Sequence, residues 1–206
     1  MDAIALPRPA FVRDRTVRDA LQRRKSAREI GDKKLSAQTL SNLLWSARGV
    51  NRKQGPFGVS GITAASASNA QEIDLYVIRE EGVYLYEPSQ HRLAPITEGD
   101  FRVFAIGQGQ GKVGADAPVR LIYVADIDKF SKAGFQEPGL NTPETQMAYY
   151  YVDTGLVAGN VYLFAASQGL ATWFHNCNKP ELSKILKLRP DQRVLFGQTV
   201  GYAEKA

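Results

Sequence analysis

Apolar positions along the chain repeat in two rhythms, every three to four residues in some stretches and every second residue in others. Val17, Ala20 and Leu21 share one side of a short helix over residues 16–24. Leu40, Leu43, Leu44 and Ala47 form a stripe on a second helix. Ser36 stands at its N-cap, Leu35 and Leu40 are placed as a hydrophobic staple, and Arg48-Gly49 marks its end. The longest helix begins at Thr142-Pro143, with proline in the first helical position, and runs to Gln168 with Gly169 as its cap. Its interior is apolar nearly all round, from Val157 to Ala166, and Gly155 and Gly159 permit close backbone approach. A helix with so little polar surface must be buried within the chain or against a second copy.

The two-residue rhythm predicts strands over 73–79 and 83–86, joined by a turn at Glu80-Glu81-Gly82. Residues 119–125 are a near-continuous β-branched and aromatic run, which reads as a central strand. Further strands are expected over 171–174 and 194–202, with a helix between them that opens on a capping box from Asn178 to Glu181 and carries Leu182, Ile185 and Leu186. Residues 49–68, rich in Gly, Ser and Ala, read as a loop. No repeat or linker interrupts the pattern, so the expectation is one α+β domain over 1–206 with a mixed central sheet flanked by helices.

Composition narrows the function classes. Twenty-six Lys and Arg against 21 Asp and Glu give a net charge of +5, which mildly favours anionic partners. The two signs are interleaved, so no nucleic-acid-binding tract stands out. Cys177 is the single cysteine, which excludes an internal disulfide and a Cys-based zinc site. No apolar run reaches membrane-spanning length, and the first residues lack the basic and apolar regions of a signal peptide; the expected location is the cytoplasm.

Several motifs fail on context. Gly109-Gln110-Gly111-Lys112-Val113-Gly114 spells a dinucleotide fingerprint, but it leads into a strand rather than a helix. Ile106 and Val113 break a P-loop reading of the same stretch. His175 and Cys177 offer a metal two ligands at most, and His91 is the one other imidazole. No nucleophile elbow is present, so no hydrolase triad is placed and no catalytic acid, base or nucleophile is expected.

What remains is Arg24-Lys25-Ser26-Ala27-Arg28, three cations and a hydroxyl in five residues. Taken alone, it reads as a solvated helix end that complements the dipole. It also has the donors to grip a phosphate monoester through charge-assisted hydrogen bonds.

Two further segments join it in order: Ala64-Ala65-Ser66-Ala67-Ser68-Asn69-Ala70-Gln71 before a strand, and Gly169-Leu170-Ala171-Thr172-Trp173-Phe174 after the long helix. Together the three resemble the FMN-dependent nitroreductase family, in its Arg-x-Ser-x-(Arg/Lys), Ala-Pro-Ser-x-x-Asn-x-Gln and Gly-Leu-Gly-Thr-x-Trp regions, over residues 17–203. Leu43-Leu44-Trp45-Ser46-Ala47 and the stretch from Asp153-Thr154-Gly155 to Leu163 resemble especially the branch that includes thiazole/oxazole-forming dehydrogenases.

The resemblance implies a nitroreductase-like fold and a homodimer with FMN at the subunit interface. It assigns Arg24, Ser26 and Arg28, with Lys25 alongside, to the FMN phosphate. Ser66, Ala67, Asn69 and Gln71 would face the flavin of the partner subunit, and backbone near Phe174 and His175 would donate to flavin N5. It implies hydride transfer from NAD(P)H to a nitroaromatic, quinone or similar acceptor by a ping-pong route. The alternative is a dehydrogenase that oxidises a substrate such as a peptide azoline. This chain departs from the pattern at Ala65, at Glu72-Ile73 in place of Pro-Trp, and at His175-Asn176-Cys177 in place of glycines.

Overall fold

The structure is a computed structural model that describes residues 1–11, 16–107 and 116–204. The fingerprint-like stretch at 109–114 lies outside the described residues.

Helices form where caps and stripes coincide. In α1 (Val17–Arg23) Thr16 and Asp19 make a reciprocal capping box. In α2 (Ala37–Arg48) the Ser36 hydroxyl accepts from the Thr39 amide, and Leu40, Leu43, Leu44 and Ala47 are all buried. Gly49 ends α2 in an extended conformation, not the left-handed one usual for a terminal glycine. It is required for space, because a Cβ there would lie 2.3 Å from the Trp45 indole.

The segment expected as loop contains a short ribbon, β2 (Val50–Arg52) paired with β3 (Gly61–Ile62). Strands β4 (Ile73–Arg79) and β5 (Gly82–Glu87) form the expected hairpin, and β6 (Arg92–Glu98) extends it to a meander. β6 was not legible because Pro95 and its charged ends disguise a strand near the sheet border. It is covered by the two-residue β1 (Ile4–Ala5). Then follow β7 (Val119–Asp126), the single turn α3 (Asp128–Ser131), α4 (Pro143–Gln168), β8 (Leu170–His175), α5 (Lys179–Ile185) and β9 (Gln192–Tyr202). At α5 the Asn178 side chain accepts from the Glu181 amide.

The main sheet runs β1-β6-β5-β4-β7-β9-β8. Every pairing in it among the described residues is antiparallel, so the α+β class holds but the strands are not of mixed direction. The near-continuous apolar run of β7 reflects burial of both faces, which does not fix strand direction. Leu75, Val77, Leu121 and Tyr123 face α2 and α4. Tyr76, Ile78, Ile122 and Val124 face Leu182 of α5, Leu186 at its C-cap and the turn at Ala105.

Two helices leave apolar side chains uncovered. The apolar side of α1 faces out, with Val17 69% and Leu21 58% exposed, while Ala20 packs inward. Helix α4 likewise leaves Met147, Tyr151, Val152 and Leu156 exposed on one side.

Candidate functional site

Past α1 the chain becomes extended and lies along the outer border of β8. The Ala27 amide donates to Thr172 O at 2.9 Å, Gly31 N–H to Tyr202 O, and Glu204 N–H to Glu29 O. Arg24, Ser26 and Arg28 alternate along this strap, so extended backbone sends them to a common side. There they meet two rings: the Arg24 guanidinium lies 5.4 Å from the Tyr162 ring centre and that of Arg28 5.2 Å from the Trp173 ring. The Ser26 hydroxyl is 2.9 Å from the Tyr162 hydroxyl.

Arg24, Lys25, Ser26 and Arg28 are all exposed, and none of the three cations makes an ion pair among the described residues. A cavity of about 650 Å³ opens beside them, lined by Ser26, Arg28, Tyr162, Ala166 and Glu204 among others. Free guanidinium forks beside a hydroxyl at the mouth of such a space suit a phosphate monoester, so the residues present fit FMN at this end.

Strand β8 supplies the next part of the wall. The Phe174 amide donates to the Tyr162 oxygen at 2.9 Å, so it is engaged within the chain. Two residues on, the amide of exposed Asn176 makes no hydrogen bond among the described residues. Sequence reasoning did not single out Asn176 or the Tyr162 hydroxyl.

His175 lies on the inward side of the same strand, buried. Its Nε2 is 2.8 Å from Thr199 Oγ1 and its Nδ1 2.8 Å from Asn176 O. Burial holds it neutral, its pKa down at about 4. Gly197 leaves room for the imidazole, since a Cβ there would lie 2.8 Å from His175 Cε1. Cys177 is also buried, and desolvation pushes its thiol up to about 12, so it is inert at neutral pH.

Ser66, Ala67, Asn69 and Gln71 come together in a tight arch between β3 and β4. Ser68, Asn69 and Gln71 all adopt positive φ, at 49°, 52° and 54°. Ser66 Oγ accepts from the Gln71 amide, and Gln71 Nε2 donates to Ser60 O at 2.6 Å and to Asn69 Oδ1 at 3.1 Å. Asn69 Nδ2 reaches Pro56 O at 3.4 Å. The Ala67 amide donates to Asp153 Oδ2 on α4 at 3.0 Å.

The strap and the arch therefore both lean on α4, at Tyr162 and Asp153. Nine residues of α-helix separate these by about 14 Å along the axis and about 180° around it. Asp153 is on the buried side and Tyr162 lies on the other, in line with Gly155 two turns away. One chain thus presents its two halves of the expected site on opposite sides of one helix.

Asp126, Asp128 and Asp191 cluster closely enough to suggest a metal, but cations of the protein already fill the place. Arg189 donates to Asp126 at 2.8 Å and to Asp191 at 3.2 Å, and Lys132 bonds Asp128.

Comparison with known proteins adds likenesses of sequence and of fold. Residues 21–202 match the sequence profile of the Nitroreductase family. A protein of Methanocaldococcus jannaschii that carries the name of a candidate nitroreductase is 30% identical over 183 residues, covering 83% of this chain and 84% of that one. The crystal structure of a candidate nitroreductase from Ralstonia eutropha JMP134 superposes with a TM-score of 0.86 at 31% identity, over 100% of this chain and 91% of that chain. A chain of the Escherichia coli microcin synthetase McbBCD complex superposes at 0.72 with 19% identity, over 98% of this chain and 78% of that chain. That last likeness is one of fold.

Proposed function

Because the chain belongs to the nitroreductase family of oxidoreductases, we propose that it is a homodimeric FMN enzyme that carries hydride from NAD(P)H to a nitroaromatic, quinone or similar acceptor in ping-pong fashion. The observation that carries this reading is the strap, where exposed Arg24, Lys25 and Arg28, without an ion pair among the described residues, flank the Ser26 hydroxyl beside a cavity on the border of β8. A bound flavin supplies the hydride chemistry itself.

The protein's own residues bind and orient. Arg24, Ser26 and Arg28 would hold the phosphate. The Asn176 amide is the unengaged donor farther along the same border and is the better candidate for a flavin ring nitrogen than Phe174, whose amide serves Tyr162. Asn69 and Gln71 would present polar atoms to the ring held by a second copy. No acid, base or nucleophile is required of the chain, and rate enhancement rests on positioning and on hydrogen bonds to the ring.

The dimer has its own support. On α4 a Cβ at Gly155 or Gly159 would meet nothing within 4 Å, so intrachain packing does not require either glycine. Each costs about 1 kcal/mol of helix propensity relative to alanine. Exposed Met147, Tyr151, Val152 and Leu156 surround them, and Val17 and Leu21 of α1 add to the uncovered apolar surface. A second copy packed on this face would cover that surface and bring the arch of one chain to the strap of the other. A nicotinamide donor and a free thiol suit the cytoplasm, with residues 1–206 acting as one domain.

The test is spectroscopic. Purified protein is expected to carry a flavin absorbance band that NADH or NADPH bleaches without oxygen; a colourless protein that takes up no FMN would overturn the reading. The dehydrogenase reading is favoured by the motif pattern around α2 and α4. Slow bleaching by both nicotinamides, with fast bleaching by an azoline peptide, selects it.

A further inference from the structure

The arch stands on a buried charge cluster that the flavin reading does not use. Arg48 of α2, only 4% exposed, donates to Gln71 O at 2.9 Å and lies 4.0 Å from Asp74 Oδ1. Lys129 of α3 donates to Asp74 at 2.6 Å and to Gln71 O at 3.3 Å. Asp153 of α4 accepts the Ala67 amide at the other foot of the arch. Between them Glu72, fully buried, has neither carboxyl oxygen hydrogen-bonded within ordinary geometry, and Arg48 Nε is likewise unpartnered.

We propose that Glu72 and Asp153 share one proton in the resting protein and so position the arch, with Asn69 and Gln71, for the flavin of a second copy; the inference rests on the flavin reading above. Charge supports it. The cluster holds two cations, Arg48 and Lys129, against three carboxylates, Glu72, Asp74 and Asp153. Both cations are committed to Asp74 and to the Gln71 carbonyl. Tyr86 of β5 faces Arg48 and Tyr149 of α4 faces Asp153, but burial keeps the first hydroxyl neutral and its hydrogen bond to Glu137 the second. One proton between Glu72 and Asp153 brings the cluster to zero net charge, whereas two bare carboxylates in this dry space would repel.

Burial, with the Asp153 carboxylate beside it, pushes Glu72 up to about 8. Loss of the proton sets the two carboxylates against each other, and the Ala67 amide loses a fixed acceptor. The arch has no slack to absorb this, with Ser68, Asn69 and Gln71 already at positive φ. Glu72 and Asp153 are positioning residues; neither is expected to touch the flavin.

The test is FMN titration by flavin fluorescence from pH 6.5 to 9.5 on wild type, Glu72→Gln and Asp153→Asn. Both variants keep the side-chain shape, and in Asp153→Asn the new carboxamide oxygen still accepts the Ala67 amide, so titration of FMN itself cancels in the comparison. Wild-type affinity is expected to fall about tenfold more than that of Glu72→Gln as the pH passes 8, with Asp153→Asn between the two because its Glu72 stays buried but no longer faces a carboxylate. Parallel profiles overturn the proposal. A second readout needs no flavin. The folded chain holds a proton that the unfolded chain gives up near the ordinary value of 4.5. Wild-type stability should therefore fall relative to Glu72→Gln as the pH rises from about 4.5 to about 8, and then level off. A protein that never binds FMN defeats the flavin reading; a stability difference that stays flat across this window defeats the shared proton. If Glu72→Gln does not fold, Asp153→Asn carries both readouts.

Discussion

The strap and the arch are both built on ionisable residues, yet they are built in opposite ways. Arg24, Lys25 and Arg28 stand in water with no ion-pair partner among the described residues, held only by a few backbone bonds to β8 and β9 and by the Tyr162 and Trp173 rings. Arg48, Glu72, Asp74 and Asp153 are buried and spend their charge on one another and on the arch backbone. Charge left exposed is available to a ligand, because solvation keeps it inexpensive until an anion arrives. Charge taken inside fixes a shape, because any change in it is costly. The first region selects a ligand and the second selects a geometry.

The sharpest way to break this comparison is at the strap. Arg24→Ala with Arg28→Ala removes two charge-assisted contacts, each of about 1.5–3 kcal/mol, so FMN affinity should fall by a hundredfold or more. Unfolding midpoint and circular dichroism should hardly move, since neither guanidinium makes an ion pair among the described residues. A large loss of stability would show that the strap is structural. Gly155→Leu comes next. The chain has open space there, so the monomer should fold, while dimer affinity drops by about a hundredfold as measured by sedimentation, taking FMN binding with it. An unchanged dimer would remove α4 from the interface.

Strand β8 allows a third, smaller test, because its outward side serves the strap and its inward side the core. His175 is held neutral in the fold at about 4 against an ordinary 6.5. Its folded value is depressed, so the stability it supports is lost as the pH falls from about 6.5 toward about 4. Between pH 7 and pH 5 this amounts to about 2 kcal/mol, and His175→Gln should flatten that part of the unfolding profile. FMN affinity at pH 7 should change little. Tyr162→Phe is the mildest change. It removes the hydroxyl between Ser26 and the Phe174 amide, worth about 1 kcal/mol, and should weaken FMN severalfold by loosening Ser26. Tighter binding would mean that the hydroxyl competes with the cofactor instead of positioning its partner.

How much of this could be seen in the chain depended on range. Helices α2 and α4 were legible because caps, stripe and terminal glycine all lie within a few residues of one another. The strap was legible for the same reason, as three functional side chains at every second position. The ribbon of β2 and β3 was hidden by small residues with no alternation, and β6 by Pro95. The charge cluster was hidden more thoroughly: it joins Arg48, Glu72, Lys129 and Asp153, whose meeting depends on helices crossing a sheet. The direction in which α1 faces could not be read, because Val17 and Leu21 mark an apolar side without saying whether it covers its own core or another molecule's.

One consequence follows from the place of β8 at the end of the sheet. Its free margin is shielded by the strap, through Ala27 on Thr172, with the neighbouring turn bonded to the end of β9. An anion that clasps Arg24 and Arg28 would therefore also keep that margin shut. The backbone bonds already close it without one, so in a cell short of riboflavin the newly made chain should accumulate as a soluble but idle enzyme rather than as inclusion bodies.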